Sequence, residues 1–378
     1  MADADDDATT AIRAYLPRLL IRRIAANPDL HLPDETCFAA AVAFVDVSGF
    51  TALSTSLADV HGREGGELLQ KYINEYFEKM LAIVQAHGGD VVDFAGDAFV
   101  ALWRGAPIWD LEQIAALKEE RELLREAVHC CVHILCELDE YEVQAAGAAT
   151  GRLRVHCGVA AGEATFLCLG GVAASQPPTA AGRNELQYTL CGSIVEEMGV
   201  ATDAAQSGEV YLGAAAAGLL RLGDADGMAP LPDELDVGLP RGGGLQLRCP
   251  ADTDARARLA RFCSLRRGRV ALTGAAPPPP LAPAAVRRLL DFLPAVVRDL
   301  VPSPPDEADA PAGAAAASPA AAKSRLRLLL TEHRPVTAVF LGLSGLGERP
   351  CEVSDLFAAQ RAVLAVHKVA TALRGAVL

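Results

Sequence analysis

The chain has 378 residues, 51% of them hydrophobic but only 5% aromatic. That length allows two or three domains with a sizeable core, although much of the hydrophobic share is Ala gathered in linker-like segments. The net charge of −14, from 48 acidic against 34 basic residues, argues against a general nucleic-acid binder, which needs a basic face.

Taken in chain order, residues 1–10 are an acidic, solvated tail. Ala11 to about Ile24 carries Ile12, Tyr15, Leu16, Leu19, Leu20 and Ile24 at helical spacing. A loop with Pro28 and Pro33 leads into Ala40–Val47, an apolar run that predicts a buried strand ended by Ser48-Gly49. A helix is expected from Phe50 toward Ala58, then a polar, flexible interruption at His61–Gly66. The clearest helix follows, with Leu68, Leu69, Tyr72, Ile73, Tyr76, Phe77, Met80, Leu81 and Val84 on one stripe and Gly88-Gly89 as its stop. That stripe reads as core, with no cofactor role.

Asp90–Phe94 and Ala98–Trp103 predict a hairpin with Asp97 close to its turn. Leu111 to about Val143 reads as helix. Arg152–Ala160 alternates Leu153, Val155, Cys157 and Val159, as a strand does. A loop at Ser175–Asn184, a short strand Tyr188–Cys191 and a helix from Ser193 follow. The order through residue 215 is β-α-α-β-β-α-β-β-α-β, an α/β pattern with one sheet covered by helices.

Residues 215–270 give weaker strand-like pieces and Gly-rich turns. Leu281–Leu300 contains an amphipathic helix, and Pro302–Ala322 reads as a mobile Pro/Ala-rich linker. A second apolar strand is expected at Val336–Leu343, with a helix from Leu356. Ten Cys occur without a CxxC pair, which points to reduced thiols, several of them buried, rather than zinc. The N-terminus has no apolar signal core, and no stretch reads as a membrane span.

Two motifs carry the chemistry. FVDVSGFT (Phe44–Thr51) and FAGDA (Phe94–Ala98) each set one carboxylate in an apolar, strand-like run. An ionised Asp there is costly to bury unless a cation or several donors meet it. Asp46 and Asp97, each beside small or turn-forming residues, point to a hard divalent cation and a phosphate-bearing ligand. The plainer alternatives are that Asp46 caps a helix and that Asp97 is a hairpin-turn residue. Phe50 reads as packing. No GxxxxGK[ST] loop competes for the phosphate role.

FVDVSGFTAL, the amphipathic helix, and HGGDVVDFAGDAFVALW together resemble the first catalytic domain of class III nucleotidyl cyclases, in particular the bicarbonate-responsive soluble adenylyl cyclases. IRRIAANPDL upstream, RVHCGVAAGE downstream and HRPVTAVFLGL (His333–Leu343) fit the same branch. The resemblance implies an α/β (α+β), ferredoxin-like catalytic domain with helices over a mainly antiparallel sheet, followed by a linker and a partial second copy. It divides the chain into a tail and helix (1–35), a first catalytic domain (36–215), an extension (216–300), a linker (301–332) and the start of a second domain (333–378).

By the same resemblance the reaction is ATP to cyclic AMP and pyrophosphate. Asp46, Asp97 and the Val47 carbonyl would hold two Mg²⁺ or Mn²⁺ ions. Ser48, Gly49, Phe50 and Thr51, at a strand-to-helix turn, would bind the triphosphate. The remaining catalytic residues would come from a second cyclase domain, in a missing C-terminal part or on another chain. The location implied is cytoplasmic, with cilium or flagellum as a further setting. The alternative is an inactive pseudo-cyclase that acts as scaffold or regulatory component of a larger assembly, such as a ciliary complex.

Three departures from the family bear on this. The chain stops about forty-five residues into the second domain, before the purine-reading residues and the Asn and Arg of that domain. In the first domain, Glu196 or Glu197 and Gly199 stand where catalytic domains carry Asn and Arg. Asp93 and Gly199 stand where a Lys and an Arg help to hold bicarbonate, so bicarbonate activation is expected to be weak or absent.

Overall fold

The computed structural model describes residues 8–9, 12–107, 113–145, 148–170, 186–221, 235–239, 243–266, 280–293, 295–298 and 353–372. By internal contacts the chain divides into two compact units. One comprises Cys37–Thr165 with Leu190–Ala276; the other comprises Met1–Thr36, Phe166–Thr189 and Pro277–Leu378.

In the first unit, β1 (Asp34–Ser48, its opening residues shared with the other unit) leads through α2 (Phe50–His61) and α3 (Gly65–Ala86) to β2 (Asp90–Ala95) and β3 (Ala98–Pro107). Helix α4 (Gln113–Leu138) then runs to β4 (Tyr141–Ala145) and the long β5 (Ala148–Gly170). After β6 (Leu186–Cys191) come α5 (Ser193–Ala204), β7 (Glu209–Leu212), α6 (Ala214–Arg221), β8 (Asp236–Gly238), β9 (Leu245–Arg248) and α7 (Thr253–Arg266). Among the described residues the sheet order is β2-β3-β1-β5-β7-β9-β8, with β4 and β6 each paired to β5. The inner order β2-β3-β1-β5, with helices between β1 and β2 and between β3 and β5, is the ferredoxin-like split βαβ arrangement. Pairing is antiparallel for β1–β3, β2–β3, β4–β5, β7–β9 and β8–β9, and parallel for β5–β7.

Strand alternation decides where the core lies. Ala39, Ala41, Ala43, Val45 and Val47 on β1 and Leu153, Val155, Cys157 and Val159 on β5 join one buried cluster with Leu53, Leu57, Tyr76, Met80 and Val84 of the helices. The α3 stripe is core only along Tyr76, Met80 and Val84, while Leu68, Leu69 and Tyr72 are half-buried. The α3 stop is a Schellman motif. Gly88 has φ +76, its N–H donates to the Gln85 carbonyl at 3.0 Å, and Gly89 N–H donates to the Val84 carbonyl at 2.9 Å. The Trp103 indole N–H donates to the His87 carbonyl at 3.0 Å, which locks β3 onto this helix end.

Several sequence expectations change. The first helix is broken at Pro17, which has extended φ −64, ψ 146 and lacks an N–H, so α1 spans Arg18–Ala26. The interruption at His61–Gly66 is a 3₁₀ turn (Gly62–Glu64) running straight into α3. Helix α4 ends at Leu138 rather than near Val143, because Glu140 turns the chain with φ 61 and Tyr141–Ala145 pairs with β5 as an additional strand. Asp139 secures that corner by accepting from the Val155 N–H at 3.2 Å. Strand β5 runs ten residues past Ala160, because Ala160-Ala161-Gly162 hides the alternation. Residues 215–270 hold two helices, α6 and α7, that the composition concealed.

Glu209 anchors β7 to its neighbours. The side chain is 4% exposed and accepts from Arg248 at 2.6 Å, Gln246 at 2.6 Å and the Gln206 N–H at 3.0 Å. Burial alone would raise its pKa, but these bonds together hold it below the usual carboxylate range. A depressed folded-state value stabilises the fold above the unfolded pKa of about 4.3. That contribution is lost as pH falls from there through the folded value. Glu209→Gln is therefore expected to cost about 1–3 kcal/mol at neutral pH and less near pH ~3.5. Urea unfolding at both pH values checks this; an equal cost at both contradicts it.

In the other unit, helix α1 is tied to the start of β1 by Arg23, whose Nε and Nη2 donate to Asp34 at 3.0 and 2.7 Å. Phe166 stacks with Tyr188, and Tyr188 packs against Phe292. The expected amphipathic helix of 281–300 is shorter: α8 covers Pro283–Leu290 and α9 is one turn, Ala295–Arg298. Helix α10 (Val353–Ala372) contributes Gln360, whose amide donates to and accepts from the Gly170 backbone at 2.8 Å each way. The Pro302–Ala322 linker and the Val336–Leu343 strand lie outside the described residues.

Candidate active site

Asp46 is the third residue from the end of β1 and faces away from the core. Its neighbours in the alternation, Phe44 and Ser48, are also half-buried, whereas Val45 and Val47 are fully covered. The apolar run is therefore only half of an environment: the carboxylate points to the opposite, partly open face, with 31% of the side chain exposed. Register brings the second motif beside it. Asp46 pairs with Ala98 of β3, and Ala98 in turn pairs with Ala95 of β2. Asp97 occupies the two-residue loop before Ala98 and is exposed. Gly96 precedes it with φ +69, as the first position of a tight hairpin loop requires.

The two carboxylates sense one another. Asp46 has a raised pKa, first because burial disfavours its charge. The positive influence of His156 lowers it, the Asp97 charge raises it again, and the Val47 N–H lowers it slightly. A hairpin bulge between Val91 and Asp93 sits just ahead of this corner. Asp93 itself is exposed and accepts from the Phe94 N–H at 2.8 Å.

The turn after Asp46 opens helix α2. Gly49 is its N-cap, with φ +105, ψ −7, and no side chain caps the helix there. Asp46 therefore does not act as the cap. The first helical bond runs from Leu53 N–H to the Gly49 carbonyl at 3.0 Å, which leaves the N–H groups of Phe50, Thr51 and Ala52 at the helix's positive end. Thr51 is exposed, and Ser48 Oγ lies 3.3 Å from Ser207 Oγ. The Phe50 ring is stacked 6.3 Å from Phe77, which also meets Phe94 and Phe99, so Phe50 packs as expected.

His156 was not singled out in the sequence. It lies on β5 with Nε2 3.3 Å from Asp46 Oδ2 and only 16% of its side chain exposed. The alternation that sends Val155 and Cys157 inward already puts His156 on the opposite face. That this face meets Asp46 depends on β1 lying next to β5, which no local pattern in the sequence states.

Carboxylate oxygens suit Mg²⁺ or Mn²⁺, and a cation would relieve the repulsion between Asp46 and Asp97. Among the described residues no three His, Cys, Asp or Glu side chains are grouped to hold a metal ion. A cation here thus needs ligands beyond side chains, from backbone carbonyls and from a bound phosphate. Glu197, one of the residues at the Asn/Arg positions, accepts from the Ala215 N–H at 2.9 Å and so serves the start of helix α6. No helix among the described residues is long and apolar enough to cross a membrane.

No family model matches the chain. Adenylate cyclase type 10 of Mus musculus is 30% identical over 213 residues, 56% of this chain and 11% of that protein. The Homo sapiens protein of the same name is 29% identical over 204 residues, 53% of this chain and 11% of its own length. Adenylate cyclase 1 of Rhizobium meliloti is 27% identical over 194 residues, 50% of this chain and 24% of that protein. The chain thus spans about a tenth of the length of its mammalian relatives. Among solved structures, the adenylyl cyclase CyaB from P. aeruginosa is 18% identical, covering 58% of this chain and 97% of its own at a TM-score of 0.36. Over these matched residues the chain is similar to the type 10 adenylate cyclases.

Proposed function

We propose that this chain supplies the metal- and triphosphate-binding half of an adenylate cyclase site. One observation carries the reading: strand register sets Asp46 and Asp97 at one corner, against the N-terminus of α2. The relatives named adenylate cyclase support the choice of ATP. In the reaction the ribose 3′-oxygen attacks the α-phosphorus, its proton leaves, and pyrophosphate departs. Two bound Mg²⁺ or Mn²⁺ ions would acidify the 3′-hydroxyl and polarise the α-phosphate. Asp46 and Asp97 would hold these ions, with the Val47 carbonyl as a further ligand. The N–H groups of Gly49, Phe50 and Thr51, with Ser48 beside them, receive the β- and γ-phosphates.

A second cyclase domain supplies the purine-reading and transition-state residues. The proposed divisions are 36–215 as first catalytic domain, 216–300 as extension, 301–332 as linker and 333–378 as the start of a second domain. Cytoplasm or cilium is the proposed setting. Bicarbonate is not expected to stimulate turnover, since Asp93 puts a carboxylate where an anion needs a cation. A bicarbonate titration that raises activity contradicts this.

Product analysis tests the reading. With Mn²⁺ and a second cyclase domain, ATP is expected to yield cyclic AMP; cyclic GMP formed preferentially from GTP overturns the substrate choice. The other reading, a nucleotide-binding pseudo-cyclase in a larger assembly, is favoured by Glu197, which is already engaged at helix α6. Metal-dependent ATP binding with no cyclic product would select it.

A further inference from the structure

Cys136 and Cys249 form a half-buried thiol pair. Cys136 lies in the last turn of α4 and Cys249 directly after β9, 113 residues away in sequence. Their Sγ atoms are 3.2 Å apart, and both side chains are half-buried. The Cys249 thiol also approaches the Val132 carbonyl at 3.8 Å. Arg256 clamps the same corner, its Nη2 donating to the Leu135 carbonyl at 2.6 Å and the Asp139 carbonyl at 3.4 Å. A disulfide needs Sγ atoms only about 1 Å closer than this contact.

We propose that Cys136 and Cys249 are a redox modification site that a hydroperoxide closes to an intramolecular disulfide, linking the end of helix α4 to the β9–α7 junction. The two thiols have different parts. Cys249 is held below the usual thiol range, first by the hydrogen bond from Cys136 and then by the Arg256 guanidinium, against the opposing effect of burial. The same hydrogen bond, followed by burial, pushes Cys136 up. Cys249 is therefore the nucleophile and Cys136 the resolving thiol.

In the first step the Cys249 thiolate attacks a peroxide oxygen. An S–O bond forms, the O–O bond breaks, and hydroxide leaves to take up a proton, which gives a sulfenic acid and water. In the second step the Cys136 sulfur attacks the Cys249 sulfur. The S–S bond forms, the S–O bond breaks, and a second water leaves with the Cys136 proton. Two thiols and one hydrogen peroxide thus become one disulfide and two waters, the peroxide taking two electrons. Four of the buried thiols do not compete: Cys130 and Cys157 are pushed well up by their surroundings, and burial raises Cys168 and Cys263 to about 12.

The test treats the full chain with about one equivalent of hydrogen peroxide, alkylates the remaining thiols and maps peptides by mass spectrometry. The expected result is a Cys136–Cys249 link, loss of two alkylatable thiols, and a melting temperature about 5–10 °C higher that dithiothreitol reverses. In Cys136→Ser a dimedone adduct should appear on Cys249; in Cys249→Ser, Cys136 should oxidise at least ~10-fold more slowly. The proposal is overturned if Cys249 links to another cysteine, or if both thiols stay alkylatable while Cys37 and Cys191 oxidise. The map of the unmodified chain decides the matter even if a serine variant folds poorly.

Discussion

Asp46→Asn and Asp97→Asn are each expected to lower cyclic AMP formation by at least ~100-fold, about 3 kcal/mol of transition-state stabilisation, while the protein stays folded. The reaction's charge develops on the α-phosphate and the leaving pyrophosphate, and no Lys or Arg within the FVDVSGFT or FAGDA segments can answer it. Each Asp is half of the anionic pair that would hold the cations. The stability arm separates this from misfolding. Burial and the neighbouring Asp97 charge raise the Asp46 pKa, so its ionised form is disfavoured in the folded state. Removing that charge should leave the melting temperature no lower than wild type, as expected where a site has been kept at the expense of stability. Activity assay and thermal melt of the same samples check both arms; a variant that loses activity only because it unfolds contradicts the site assignment.

Gly49→Ala is expected to be the most damaging single-methyl change near the site. Gly49 has φ +105, a region that costs an L side chain about 1–2 kcal/mol. An added Cβ would also lie 2.5 Å from the Arg152 carbonyl oxygen, and relieving such an overlap with backbone typically costs a further 1–3 kcal/mol or so. The sum, about 2–5 kcal/mol, corresponds to roughly 5–20 °C for a domain of this size. It also moves the start of α2 away from Asp46, so triphosphate binding falls with stability. Gly96→Ala is the control. It shares the positive φ, +69, but an added Cβ there meets nothing within 4 Å. Its cost should stop at the backbone part alone, about 1–2 kcal/mol. Chemical denaturation of both variants checks the difference; equal losses would mean that the contact with Arg152 does not decide the effect.

Much of this architecture is legible in the chain. The Leu68–Val84 stripe, the Gly88-Gly89 stop and the Gly96-Asp97 turn state helix, cap and hairpin by local chemistry, and the structure forms each of them. Tertiary pairing is less legible. The Tyr141–Ala145 strand sits at the end of a helical-looking pattern and exists because β5 offers it an edge. Helix α7 is hidden because its Ala and Arg run lacks a clean apolar stripe, and α6 because it is a short, Ala-rich run of eight residues. The same limit applies at the site. Each Asp motif could be read alone, but Asp46, Asp97 and His156 meet through the β2-β3-β1-β5 order. The Cys136–Cys249 contact likewise joins residues that no spacing rule links.

The metal assignment is tested most directly by ATP affinity with and without Mn²⁺, by calorimetry, for the wild-type chain and for Asp46→Asn/Asp97→Asn. Mn²⁺ is expected to tighten ATP binding at least ~10-fold in wild type, about 1.4 kcal/mol, and to make no difference in the double variant. An equal Mn²⁺ effect in both proteins would show that Asp46 and Asp97 do not hold the metal, and the proposed site would fall.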